Sequence, residues 1–169
     1  MGSEGPSEVS VHITGFKKFH GVSENPTETI VSNLRGYMTK NGLPKGLVIG
    51  NCTVLETAGQ GALAQLYKLL ESAVAERGNG SSNTRGEVIW TSLPANDIAK
   101  ALAKMGFNVV PSDDAGRFVC NYVYYHSLCF AEQNGIKSLF VHFPLFFTID
   151  EETQMQFVAS LLEVLASLN

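Results

Sequence analysis

A thiol and an imidazole are the two side chains in this sequence best suited to joint chemistry. Cys120 stands in Ser112-Asp113-Asp114-Ala115-Gly116-Arg117-Phe118-Val119-Cys120-Asn121, just inside the expected start of a helix. His142 ends an apolar run in Phe140-Val141-His142-Phe143-Pro144. A helix N-terminus favours a thiolate through the helix dipole, Arg117 adds a local positive charge, and a nearby imidazole takes the proton. That makes a nucleophile and a base. The carboxylate that would orient the imidazole has no evident candidate: Asp113 and Asp114 read as caps of the same helix, and Asp150 as the cap of the last one. The competing account is plain packing, with Cys120 a small buried hydrophobe and His142 a satisfied structural histidine.

The remaining chemistry-bearing residues point less clearly. Cys52 falls in a strand and Cys129 in the body of a helix, both suited to packing. His126 shares the helix of Cys120 but is turned away from it by about 120°, which makes it a poor partner. His20 lies in the first loop and His12 inside the first strand. Phe16 and Phe19, in Thr14-Gly15-Phe16-Lys17-Lys18-Phe19, are either a lid packed on the core or a flat apolar slot for a small ring. Gly59-Gln60-Gly61-Ala62-Leu63-Ala64 has dinucleotide-loop spacing between a strand and a helix. No acid ends the following strand at Ile89-Trp90-Thr91 to grip a ribose, so a plain helix start is the simpler reading.

The elements that must hold these residues alternate along the chain. Strands are expected at 9–14, 47–55, 87–90, 107–110 and 138–143, the last uncharged as for a strand covered on both faces. Helices are expected from Asn25-Pro26-Thr27-Glu28 to Asn41-Gly42, then at 60–76, 94–105, 118–133 and 151–168. A polar Gly/Ser stretch at 78–84 reads as a surface loop. The alternation predicts an α/β fold, a three-layer α/β/α sandwich around a mostly parallel sheet. Residues 1–8 are expected to form a frayed tail and 9–168 a single domain. In such folds ligands gather beyond the carboxyl ends of the strands, where the loop after strand one, the turn before Cys120 and His142 converge.

Bulk properties bound the partners. The chain has 169 residues, 44% of them apolar and 17% charged, with a net charge of −4. No basic stripe favours nucleic acid, and no apolar run is long enough to span a bilayer. The N-terminus lacks the basic start and apolar core of a signal peptide. Three cysteines without CxxC spacing argue against a zinc site or a disulfide framework, so no metal or cofactor is expected. A reducing, cytoplasmic location follows.

Taken together, Thr14-Gly15-Phe16 with Phe19, the Asn25-Pro26-Thr27 helix start, Ala115-Gly116-Arg117-Phe118-Val119-Cys120-Asn121-Tyr122 and Phe140-Val141-His142-Phe143-Pro144 resemble the pyroglutamyl peptidase I family of cysteine exopeptidases. The wording is most similar to plant members. The resemblance implies that Cys120 is the nucleophile and His142 the general base. It implies that Phe16, Phe19, Phe118 and Val119 line the pocket for the pyroglutamyl ring, and that the Cys120 backbone N–H donates to the oxyanion. The implied partners are peptides with an N-terminal pyroglutamate, and a homo-oligomer is left open. The sequence departs from the family after Trp90, which runs directly into Thr91-Ser92-Leu93-Pro94. Family members carry several tens of residues there, including the triad glutamate and an oxyanion-side arginine. The alternatives are a catalytically silent, shortened isoform that binds a ligand or partner, and a flavodoxin-like nucleotide-binding domain.

Overall fold

The structure, a computed structural model, describes residues 8–75, 91–116 and 119–168. Most of the expected tail, the 78–84 loop and the expected strand at 87–90 lie outside the described residues. So do Arg117 and Phe118. The rest falls into two compact units, one within Met1–Val54, Asn96–Val110 and Phe143–Asn169, the other within Leu55–Ala95 and Pro111–His142.

The first unit is built on β1 (Val9–Phe16), α1 (Pro26–Asn41) and β2 (Leu47–Leu55). The two strands are hydrogen-bonded neighbours in a parallel sheet, with α1 as the crossover. Asn25 starts α1 as its sequence suggests: its Oδ1 accepts from Thr27 N at 3.1 Å, and Pro26 occupies the first turn. Ile30, Leu34 and Met38 recur every four residues, so one stripe of α1 turns inward. They form a core with Leu47 and Ile49 of β2 and Met155, Val158 and Leu162 of α5 (Glu151–Ser167). Arg35 donates to the carbonyls of Ile49 (3.4 Å) and Gly50 (2.8 Å), which ties α1 to β2.

Helix α3 (Ala95–Lys104) buries Ile98, Ala99 and Leu102 and ends where Gly106 takes a positive φ of 96°. The 107–110 segment is not a strand, contrary to the sequence reading. Its first residue docks sideways instead: the Phe107 ring meets Phe157 of α5 edge-on at 5.4 Å, and Val110 is 79% exposed. An apolar run becomes a strand only where a neighbour takes up its ladder.

The second unit packs α2 (Gly59–Ala75) against α4 (Val119–Asn134). Here 138–143 is likewise no strand, a second correction. Among the described residues its backbone groups meet side chains: Thr91 Oγ1 donates to the Ser138 carbonyl, and the Phe140 backbone faces the Tyr124 hydroxyl.

Asp150 caps α5 as its position suggests, accepting from Thr153 N at 2.9 Å, and these hydrogen bonds hold its carboxyl below the usual range. A depressed pKa stabilises the fold above the ordinary carboxylate range, and the gain is lost as pH falls through the folded value. Asp150→Ala is therefore expected to lower Tm at neutral pH, with the gap to wild type closing on acidification. Thermal melts of both proteins across the acid range would show it, and a gap independent of pH would count against the cap.

Candidate active site

Cys120 is the second residue of α4, half-buried, with Val119 buried beside it. The expectation from the helix dipole meets a stronger effect here. Burial pushes the Cys120 thiol up from its ordinary value, and the backbone hydrogen bond at its own position only partly opposes that. Desolvation outweighs the N-terminal backbone because half-burial disfavours the charged thiolate directly. Among the described residues neither Asp113 nor Asp114 accepts a hydrogen bond from α4. The Asp114 carboxylate instead accepts from Gly116 N at 2.8 Å, closing a turn ahead of the helix.

His142 lies at the end of the segment that follows α4, and it is exposed. Among the described residues no hydrogen bond joins it to the Cys120 thiol. A chain of rings relates them instead. Tyr124 stands one helical turn beyond Cys120 on the same face of α4. Its ring meets Phe140 at 5.4 Å, and Phe140 meets the His142 imidazole edge-on at 4.7 Å and 80°. Neither Tyr124 nor Phe140 was singled out from sequence. The available signal was spacing: Tyr124 is four residues after the cysteine, and Phe140 is two before the histidine on the same side of an extended chain.

Phe16 and Phe19 belong to the first unit and do meet, with ring centroids 6.3 Å apart. Phe16 is buried and Phe19 half-buried. The loop bearing them is pinned by Asn25 Nδ2, which donates to the Lys17 carbonyl at 3.0 Å, and by Thr27 Oγ1, which accepts from Phe16 N at 3.0 Å.

The other histidines are engaged elsewhere. His126 Nδ1 lies 3.1 Å from the Tyr67 hydroxyl within a group of aromatic rings, and burial lowers its pKa. Asn51 N donates to His12 Nδ1 at 3.2 Å, which leaves the proton of a neutral ring on Nε2, facing Ser10 Oγ at 3.5 Å. That tautomer donates to Ser10 and does not activate it. His20 is exposed in the first loop. Gly59 and Gly61 lie inside the first turn of α2, neither with a positive φ, so they form no glycine loop ahead of the helix. Among the described residues no group of three or more His, Cys, Asp or Glu side chains is placed to hold a metal ion, and no helix is long and apolar enough to cross a membrane.

A family profile described as pyroglutamyl peptidase matches residues 77–162, just over half of the chain. The chain belongs to the pyroglutamyl peptidase family. Curated relatives are similar along most of its length. A pyrrolidone-carboxylate peptidase of Klebsiella pneumoniae is 30% identical over 173 residues, covering 79% of this chain and 77% of the relative. One from Halalkalibacterium halodurans is 27% identical over 164 residues, covering 78% and 82%. Among solved structures, pyroglutamyl peptidase I of Bacillus amyloliquefaciens has a TM-score of 0.74 at 19% identity, covering 95% of this chain and 98% of that one. A mutant pyrrolidone carboxyl peptidase of Pyrococcus furiosus has a TM-score of 0.73 at 22% identity, with the same coverage. The α/β fold of the pyroglutamyl peptidases is therefore the fold of this chain.

Proposed function

We propose that this pyroglutamyl peptidase family member is a cysteine exopeptidase that removes N-terminal pyroglutamate from peptides, with Cys120 as nucleophile and His142 as general base. The observation that supports the reading is the run of ring contacts from Tyr124, one turn after Cys120 on α4, through Phe140 to the His142 imidazole. In the reaction His142 takes the thiol proton, and Cys120 Sγ attacks the pyroglutamyl carbonyl carbon. The backbone N–H of Cys120 donates to the oxyanion. The C–N bond breaks as the imidazolium returns its proton to the leaving amine, which leaves a thioester. Water, deprotonated by His142, attacks the thioester and frees pyroglutamate and the thiol. By the family resemblance Phe16, Phe19, Phe118 and Val119 would line the ring pocket, and such apolar side chains suit a five-membered lactam.

We also propose that the chain is internally shortened after Trp90. In the Klebsiella pneumoniae comparison, 173 aligned positions take up 79% of a 169-residue chain, so several tens of aligned positions in the relative have no residue here. We read that gap as the segment which, by the family resemblance, would carry the triad glutamate and the oxyanion-side arginine. Loss of an orienting acid costs about 10⁴ in turnover in serine triads and loss of an oxyanion donor about 10²–10³, but the two effects do not multiply and a thiolate–imidazolium pair depends less on the acid. Activity is accordingly low. A transcript boundary between the Trp90 and Thr91 codons is expected, and contiguous genomic sequence there would refute a skipped exon. A cytoplasmic location suits Cys52, Cys120 and Cys129, all free thiols.

The second reading, a silent isoform, is favoured by the raised Cys120 thiol without a hydrogen bond to His142. One assay separates the two. The purified chain should release a fluorophore from a pyroglutamyl amide, above a Cys120→Ala control, and should spare the matching prolyl amide. Equal rates for wild type and the control would leave only the silent reading.

A further inference from the structure

The imidazole of a thiol–imidazole pair has to keep one orientation, and an isolated exposed histidine samples several rotamers. What holds the His142 ring among the described residues is the edge-on contact with Phe140, 4.7 Å between centroids. Phe140 is itself backed by Tyr124. Tyr124 is held in turn at its hydroxyl, which faces the Thr91 side chain and the Phe140 backbone. Thr91 Oγ1 donates to the Ser138 carbonyl, and Ser138 Oγ shares a 2.7 Å hydrogen bond with Ser127 Oγ of α4. Two anchors thus fasten the 138–142 segment, one to Thr91 and one to α4. Thr91 is the residue directly after Trp90, where the sequence departs from its family's pattern.

We propose that Phe140, backed by Tyr124 and fastened through Thr91 and Ser138, is the positioning residue that orients His142 toward the Cys120 face of α4. The proposal rests on the reading of Cys120 and His142 as nucleophile and base, and gives this chain a means of orienting the imidazole without the triad carboxylate. Its size is limited by the physics. An aromatic pair biases a rotamer population about two- to tenfold beyond burial alone. The ring contact therefore recovers only a small part of what an orienting carboxylate supplies.

Phe140→Leu keeps an apolar side chain and removes the ring. The expected result is a fall in kcat of about three- to tenfold with KM changed less than twofold, and recovery in Phe140→Tyr, which restores a ring. The second readout is independent of turnover. The His142 ring protons should be shifted by the Phe140 ring current in the NMR spectrum of the wild type and return toward free-histidine positions in Phe140→Leu. Should that variant not fold, Tyr124→Leu removes the backing while leaving Phe140 in place, and both readouts should move in the same direction. Unshifted His142 protons in the wild type, or an unchanged kcat in a folded Phe140→Leu, would overturn the proposal. Absence of Cys120-dependent hydrolysis in the wild type would sink the peptidase reading alone. The NMR comparison would then by itself uphold or overturn the orientation of His142 by Phe140.

Discussion

Cys120→Ala is expected to lower pyroglutamyl amide hydrolysis by about 10³-fold or more, to the level that binding and the remaining backbone donors sustain. Removing the nucleophile of an intact serine triad costs about 10⁶, and on the proposed loss of the triad acid this chain begins lower on that scale. The accompanying pH dependence is the sharper test. The reactive species is the thiolate, and burial raises the Cys120 thiol above its ordinary value. At neutral pH the thiolate fraction is therefore smaller than in a solvated cysteine. Both kcat/KM and the rate of Cys120 alkylation should keep rising through and beyond the ordinary thiol range. A thiol dominated by the helix N-terminus or by an imidazolium would plateau at or below neutrality. The same raised pKa contributes stability that is fully present below the unfolded thiol value and is lost as pH rises through the folded one. An alkylation profile flat above neutral pH would show that substrate-free Cys120 is already paired, against the burial argument.

The difference between what sequence revealed and what it concealed follows the range of the forces involved. The ends of α1 and the C-terminal end of α3 were legible from Asn25-Pro26, Gly42 and Gly106, because caps and positive-φ glycines act within a few residues. Strand character at 107–110 and 138–143 is misleading because a strand needs a partner, and among the described residues neither segment has one. The groups that took up those segments, the Phe157 ring and the Thr91 hydroxyl, are distant in sequence. Cys120 shows the same division within one residue. Its helix-terminal position is local and was read correctly, whereas its half-burial depends on tertiary packing and decides the thiol's charge. The Tyr124–Phe140–His142 contacts were likewise hidden, since each spacing is visible but their meeting depends on where the 138–142 segment is fastened.

Gly15 ties the proposed ring pocket to the stability of the first unit, and its substitution is expected to damage both. A Cβ on Gly15 would stand 2.5 Å from the Thr27 carbonyl oxygen and 2.9 Å from Val31 Cγ2. The first of these is backbone in the opening turn of α1, so it cannot rotate aside. Gly15→Ala must therefore push β1 and α1 apart at their closest approach. The cost is about 2–3 kcal/mol, near the upper end of ordinary overpacking because backbone rather than side chain has to move. The same displacement weakens the 3.0 Å bond from Phe16 N to Thr27 Oγ1, which fixes the start of the loop bearing Phe16 and Phe19. KM for a pyroglutamyl amide should rise along with the loss of stability. Gly36 supplies the control within the same helix: a Cβ there meets nothing within 4 Å. Gly36→Ala should stabilise the protein by about 0.5–1 kcal/mol, because alanine loses less backbone entropy in a helix interior. Urea unfolding of the two variants, with m unchanged, should move the midpoint in opposite directions. A Gly15→Ala protein as stable as wild type would mean that the β1–α1 contact yields. Gly15 would then no longer account for how Phe16 is held.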